Sequence, residues 1–238
     1  MIASKVKKEF KHSPIIKKYQ VGFALYDMDR KEMIFQKDGD KYFTPASNTK
    51  LFTYYAGLKM MPDSIPGLRY VENADSLVFW GTGDPSFLHT TLKGTKAFDL
   101  LQKTSKKLYF SPGRYTGDFY GHGWQWDDYN DYYQVELNEL PIMDNVVLVT
   151  GTAEGKMNVL PQNFATCFVK DSLSTQPFKV IRDFNNNKFT YPKTIIPAKY
   201  AQQIPYKVSA LTTVNLLSDT LKKYVEIVHL KMPKPFIT

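Results

Sequence analysis

At 238 residues, with 43% hydrophobic and 15% aromatic content, the chain has material for one large domain or two small ones, and its composition excludes a disordered polymer. A formal charge of +8 and a pI near 9.2 suit anionic surroundings such as nucleic acid, an acidic cell-wall polymer or an anionic membrane face. The basic residues are scattered and form no nucleic-acid-binding fingerprint, so a solvated lysine-rich surface is the preferred reading; no apolar run reaches the length of a membrane span.

The first 18 residues read as a basic tail carrying Lys5, Lys7, Lys8, Lys11, Lys17 and Lys18, with no helix signal behind them. No apolar signal-peptide core is seen there, which implies a cytosolic protein or one whose export signal is absent from this chain. Val21–Tyr26, a polar turn through Asp27–Lys31 and Met33-Ile34-Phe35 predict a β-hairpin, followed by a polar loop, Lys37–Tyr42. A helix is then expected from Pro45, a favoured first helical residue, with Thr44 as its cap and Leu51, Phe52, Tyr55, Leu58 and Met61 at helical spacing.

Ser47 and Lys50 would share one face of the first turn of that helix. A serine hydroxyl is a poor nucleophile at neutral pH and needs a neighbour able to take its proton. A lysine does this only when burial favours its neutral form, and Leu51 and Phe52 are expected to provide that burial. The spacing itself has low specificity: Ser4 and Lys7 repeat it by chance in the basic tail.

Beyond a proline-containing link, Pro62–Pro66, the pattern predicts a strand at Ser76–Trp80 that ends in the turn Gly81-Thr82-Gly83-Asp84-Pro85. A helix over Thr95–Lys106 and a strand at Leu108-Tyr109-Phe110 follow. Gly121–Tyr133 is both aromatic and acidic. Its Trp124 and Trp126 could stack on sugar rings or fill a core at a domain junction, the second being preferred. Asp127 and Asp128, adjacent on what reads as extended chain, would point to opposite faces rather than act as an acid/base pair. Short β-like runs at Val146–Val149, Ala165–Val169, Phe178–Ile181 and Lys188–Tyr191 predict a β-rich subdomain. Thr212–Val228 reads as a helix with Thr212 as cap and Val214, Leu217, Leu221, Tyr224 and Val228 on one stripe. The single Cys167 excludes an intrachain disulfide, and His12, His89, His122 and His229 lack ligand spacing, so neither metal nor cofactor is expected.

Three segments in order, Pro45-Ala46-Ser47-Asn48-Thr49-Lys50, Gly81-Thr82-Gly83-Asp84-Pro85 and Gly123-Trp124-Gln125-Trp126-Asp127-Asp128, resemble the D-alanyl-D-alanine carboxypeptidase/endopeptidase family of low-molecular-mass penicillin-binding proteins. Gly22 in the hairpin and the run Leu137-Asn138-Glu139-Leu140…Asn145-Val146-Val147 extend the resemblance over roughly Tyr19 to Val228. It implies an α+β fold: part of a DD-peptidase/β-lactamase-like, or penicilloyl-serine transferase, domain with inserted β-rich subdomains. The expected division is 1–18 as the tail, 19–75 as the nucleophile-bearing part, 76–210 as the inserted region and 211–238 as a return toward the peptidase domain. The resemblance further implies that Ser47 forms an acyl-enzyme with a D-Ala-D-Ala peptide and that Lys50 takes its proton, an assignment disputed among related serine enzymes.

Two companion motifs of the family are missing. No serine is followed two residues on by asparagine, and Lys103-Thr104-Ser105 and Lys193-Thr194-Ile195 lack the glycine of Lys-Thr-Gly. The expectation is an N-terminal portion of a longer polypeptide. Losing one oxyanion donor costs about 3 kcal/mol in related acyl transfer, so the chain alone should be nearly inactive. The resemblance implies peptidoglycan stem peptides as substrate, β-lactams as covalent inhibitors and an envelope or periplasmic location. The alternatives are a non-catalytic peptidoglycan-binding or scaffolding homologue and a β-lactamase-like esterase, whose Tyr-x-Asn motif is not found here.

Overall fold

The computed structural model describes residues 2–92, 94 and 96–233. Its contacts divide the chain into two compact units, 1–63 and 64–238, and the division falls inside the proline-containing link.

The first unit begins with a helix, α1 (Ile2–His12), where the sequence suggested a tail without helix signal. The overlooked signal is the stripe Ala3, Val6 and Phe10, the only residues of α1 drawn even partly out of solvent. Phe10 packs its ring 5.0 Å from Phe23 and 5.5 Å from Phe35. Those two rings belong to the expected hairpin, β1 (Phe23–Asp27) and β2 (Glu32–Lys37), paired antiparallel with Leu25 opposite Phe35. Asp27 closes the turn by accepting the backbone N–H groups of Asp29 and Arg30, a local bond that favours turns over strand continuation. Gly22 is a position of close approach: a Cβ there would lie 2.5 Å from the Phe43 ring. Helix α2 (Thr49–Met60) completes the unit. No described residue of 2–63 is buried.

The second unit holds the hydrophobic core. Its largest sheet has the order β12 (Val225–Ile227), β5 (Lys107–Phe110), β4 (Ser76–Gly81) and β3 (Leu68–Glu72); the first three run parallel and β3 closes the edge antiparallel. Strand β4 reads as a continuous apolar run because it is central and covered on both faces, with Leu77, Phe79 and Trp80 all buried. Helix α3 (Lys96–Lys103) lies within the predicted span, whose first residue, Thr95, falls outside the described residues. An antiparallel sheet follows, in the order β11 (Ala201–Pro205), β6 (Val146–Gly151) and β7 (Met157–Leu160). A third sheet sets β10 (Phe189–Pro192) between β8 (Phe168–Asp171) and β9 (Ile181–Arg182). The β-rich reading of this region therefore holds, although Ala165–Cys167 belong to a 3₁₀ segment, Gln162–Cys167, rather than to a strand.

The last predicted helix is shorter than expected. Helix α4 (Ala210–Leu221) is capped by Ser209, whose hydroxyl accepts the Thr212 backbone N–H, so Thr212 is inside the helix and not its cap. It stops where Lys222 turns left-handed (φ 53°). Beyond that point Tyr224 is exposed and Val225 buried, an alternation that belongs to β12 rather than to a continuing helical stripe. The lysine next to the break ties two helices together: the Lys223 ammonium donates to the carbonyls of Leu101 (3.1 Å), Gln102 and Thr104 at the C-terminal end of α3. A cation is favoured at that negative end and satisfies carbonyls that have no helical partner.

Replacing Lys223 by Met leaves those carbonyls short of a donor and is expected to destabilise residues 64–238 by about 1–3 kcal/mol in urea unfolding. Lys222→Met, which removes only a surface pair with Asp219, is expected to change stability by less than about 0.5 kcal/mol.

Candidate functional site

Ser47 sits on a short 3₁₀ turn, Ala46–Asn48, which runs directly into α2. Pro45 flanks that turn rather than opening the α-helix, and no side chain caps either segment, so Thr44 is not the cap the sequence suggested. The turn is closed by the Asn48 N–H donating to the Pro45 carbonyl (2.9 Å) and by the Thr49 hydroxyl donating to the Ala46 carbonyl (3.0 Å). Ala46 takes a left-handed conformation (φ 44°), which costs a non-glycine residue about 1–3 kcal/mol.

Lys50 lies in the first turn of α2, three residues beyond Ser47 and on the same side of the chain, and its ammonium donates to the Ser47 hydroxyl at 3.0 Å. The structure thus brings the two candidate residues into hydrogen-bond contact. It does not supply the burial anticipated for them. Leu51 is 70% and Phe52 77% exposed, no residue of α2 is buried, and Ser47 and Lys50 are themselves exposed. Upstream of the turn, the Lys37 and Lys41 ammonium groups, hydrogen-bonded to Asp38, hold its carboxyl down at about 2.

The other two motif segments are in the second unit. Gly81 ends β4 with its Cα so close to the Glu139 carbonyl that a Cβ would lie 2.1 Å from that oxygen, and Gly83 donates its N–H to the same carbonyl at 2.7 Å. The Glu139 carboxylate accepts from the backbone N–H groups of Gly113 (2.8 Å), Arg114 (2.7 Å) and Tyr115 (3.3 Å), while the Arg114 guanidinium donates to the Gly81 carbonyl (2.6 Å). This knot accounts for the Gly-x-Gly turn as structure, consistent with its lack of a phosphate-cradling continuation.

Trp124 and Trp126 do not fill a core. Trp126 is 73% exposed, and Trp124 is partly covered by Tyr120, its ring centroid 6.4 Å away. Asp127 and Asp128 lie on a 3₁₀ turn, Trp126–Asn130, rather than on extended chain. The composition of this segment was legible, but its outward orientation was not, because aromatic content alone does not say which side faces solvent.

A second polar cluster escaped the sequence reading. His89 places Nε2 3.1 Å from Asp144 Oδ1, and Thr90 donates its hydroxyl to Asp144 Oδ2 at 2.6 Å and its backbone N–H to Oδ1 at 3.2 Å. His89 Nδ1 accepts the backbone N–H groups of Thr91 (3.0 Å) and Leu92 (3.1 Å), which fixes Nδ1 as the acceptor and Nε2 as the protonated nitrogen. Asp144 lies in the middle of three consecutive left-handed residues, Met143, Asp144 and Asn145 (φ 51°, 59° and 54°). Such strain persists only where the surroundings over-determine it. Here Asn145 Oδ1 accepts from Ile142 N and Asn145 Nδ2 donates to the Glu136 carbonyl. The buried Tyr206 hydroxyl lies 2.9 Å from the Ile142 carbonyl oxygen and 3.0 Å from Asn145 Oδ1. The pair of His89 and Asp144 is 55 positions apart and had no spacing signal; the only sequence trace was Asn145 in the run quoted for the resemblance.

A family model for the D-Ala-D-Ala carboxypeptidase 3 (S13) family matches residues 2–190. The chain belongs to that family. Penicillin binding protein 4 of Haemophilus influenzae is similar over 90% of this chain and 55% of its own, with a TM-score of 0.62 and 14% identity. The same protein in complex with a β-lactam aligns over 99% of this chain and 57% of its own, with a TM-score of 0.55 and 12% identity. No curated protein gives a significant match to the chain. The fold is accordingly α+β and of the penicilloyl-serine transferase type, and the chain spans little more than half the length of these solved relatives.

Burial pushes the Tyr206 phenol well above the ordinary tyrosine range, the charged form being disfavoured away from water. A raised acid pKa in the folded state leaves stability intact below the unfolded tyrosine value, about 10, and removes it as pH rises beyond that point. Residues 64–238 are therefore expected to lose stability above about pH 10, with one tyrosine ionising only on unfolding when absorbance is followed near 295 nm. Tyr206→Phe should weaken that alkaline dependence while costing about 1–2 kcal/mol at neutral pH by leaving the left-handed turn without its hydroxyl donor.

Proposed function

We propose that this chain carries the nucleophile-bearing portion of a serine-type D-Ala-D-Ala carboxypeptidase acting on peptidoglycan stem peptides, with Ser47 as nucleophile and Lys50 as the group that takes its proton. The observation that carries the reading is the 3.0 Å hydrogen bond from Lys50 Nζ to Ser47 Oγ on a turn leading into a helix, in a chain of this family. In the reaction, Ser47 Oγ attacks the carbonyl carbon of the D-Ala-D-Ala bond as its proton passes to a neutral Lys50 amine. The C–N bond breaks, the leaving D-alanine amine takes up a proton, and water then cleaves the acyl ester to restore the hydroxyl. β-Lactams would acylate the same oxygen through their ring carbonyl. An envelope or periplasmic location goes with this reading.

As the group that takes the serine proton, Lys50 has to act as a neutral amine, a form that burial favours. The reading therefore includes a cover over α2, whose Leu51, Phe52, Tyr55 and Leu58 now face solvent. A helix apolar on so much of its surface is stable when buried. The same exposure favours a second reading, a non-catalytic peptidoglycan-binding homologue in which the pair is only a surface contact.

Treating the protein from its native source with a fluorescent penicillin, followed by peptide mapping, is expected to place the adduct on Ser47. Ser47→Ala should abolish it, and Lys50→Ala should slow it by about 10²–10⁴-fold. An adduct on another residue sinks the assignment. No adduct, together with undiminished sedimentation of Ser47→Ala on insoluble peptidoglycan, selects the binding reading.

A further inference from the structure

The second unit contains a pocket of about 650 Å³ that the acylation chemistry does not use. Its walls include His89, Thr91, Tyr132, Tyr133, Asp144 and Gln203, with Gly83 and Pro85 of the glycine-rich turn at one side. The size lies in the range of small-molecule sites, about 300–1,000 Å³.

Charge narrows the class of ligand. The chain has 31 Lys and Arg residues, yet none lines this pocket among the described residues. Asp144 and Glu136 do line it, so the local charge is opposite to that of the chain, and phosphate, nucleic acid and carboxylate ligands are disfavoured. Neither carboxylate is free for a cationic ligand. Asp144 already accepts from Thr90 and His89, and Glu136, fully buried, is paired with the Lys207 ammonium at 3.0 Å and with the Val208 N–H at 2.8 Å. His89 in turn has both ring nitrogens engaged, so it offers neither a proton nor a lone pair.

The Tyr133 hydroxyl is likewise engaged, by the carboxylates of Asp128 and Asp131, so what remains available is of two kinds: aromatic faces and the Gln203 amide. Tyr132 and Tyr133 stand outward, 64% and 59% exposed, with ring centroids 5.5 Å apart and planes nearly perpendicular, so one presents a face where the other presents an edge. Gln203 projects from β11 with its side-chain amide outside the hydrogen bonds of the described residues. Flat aromatic faces beside the Gln203 amide and the Tyr132 hydroxyl match a ligand with apolar C–H faces and hydroxyl or acetamido edges. The left-handed turn at Met143–Asn145, braced by Tyr206, holds the opposite wall in a fixed shape, so little ordering is needed on binding.

We propose that this pocket is a saccharide-binding site, taking two or three units of a neutral, N-acetylated sugar chain. Every residue involved lies within 64–238, so the site stands or falls separately from acylation at Ser47. The test is isothermal titration of the 238-residue chain with tri-N-acetylchitotriose, with cellotriose as a sugar lacking acetamido groups and the tripeptide Ala-Lys-Ala as a cationic peptide. Saturable binding of the chitotriose is expected, weakened about tenfold by Tyr132→Ala or Tyr133→Ala and severalfold by Gln203→Ala, and unchanged by Trp126→Ala, whose exposed ring lies outside the pocket. All four side chains are exposed, so circular dichroism should show folded variants. No saturable heat with either sugar, binding that survives the Tyr132/Tyr133 double substitution, or preference for Ala-Lys-Ala would overturn the proposal.

Discussion

Desolvation of an amine is the constraint on which the chemistry proposed for Ser47 and Lys50 turns. An ammonium cannot accept a proton, and water stabilises the ammonium. A lysine therefore becomes a base only where the surrounding protein removes that water. In this chain the geometric half of the requirement is met by local structure alone: a 3₁₀ turn running into α2 sets Ser47 three residues before Lys50, and a hydrogen bond joins them. The dielectric half is not met by residues 2–63, which contain a ring cluster of Phe10, Phe23 and Phe35 but no buried side chain. Alignment and desolvation are separable properties, and here the first is present without the second.

The second unit solves a different problem by similar means, namely how to keep carboxylates inside a protein. Glu136 is compensated by the Lys207 ammonium and a backbone donor, Glu139 by three successive backbone N–H groups, and Asp144 by a threonine and a neutral histidine. Each carboxylate joins segments far apart in sequence. Glu136 reaches the chain leading to α4, and Glu139 fastens the loop after β5 while its carbonyl receives Gly83 from the end of β4. Gly81 follows from this arrangement, because any side chain there would displace the Glu139 backbone, whereas Gly83 supplies a left-handed φ of 82°.

Legibility in the sequence followed the range of the interactions. The hairpin, β4 and β5 could be read because alternation and uninterrupted apolar runs are local signals. Helix α4 was read too long because Tyr224 and Val228 fall by coincidence on its apolar stripe, while the break at Lys222 depends on a left-handed residue that is not glycine. Strand β3 and strand β11 escaped because Leu68–Glu72 and Ala201–Pro205 are half polar, and only pairing with β4 and β6 makes them strands. The hydrogen bond between Ser47 and Lys50 was legible through their spacing, whereas the pairing of His89 with Asp144 depends on a tertiary contact that no window of sequence contains.

The same distinction explains how the aromatic residues were misjudged. Trp124 and Trp126 were expected in a core, yet Trp126 is exposed, as are the neighbouring Tyr132 and Tyr133. Their segment is instead pinned by polar bonds at its back: Gln134 donates to the Gln125 carbonyl, Asn130 to the Val180 carbonyl, and Tyr129 to the Arg182 carbonyl. Those bonds commit the buried side of the 3₁₀ turn to Asn130 and Gln134, which are among the few buried polar residues of the chain. With the inward positions taken by amides, the large rings are left on the outer side, beside a pocket that carries no cation among its described lining residues. Burying the amides and exposing the rings reverses, in this segment, the usual order of hydrophobic burial: the polar bonds at its back, and not the number of aromatics, decide which side faces solvent.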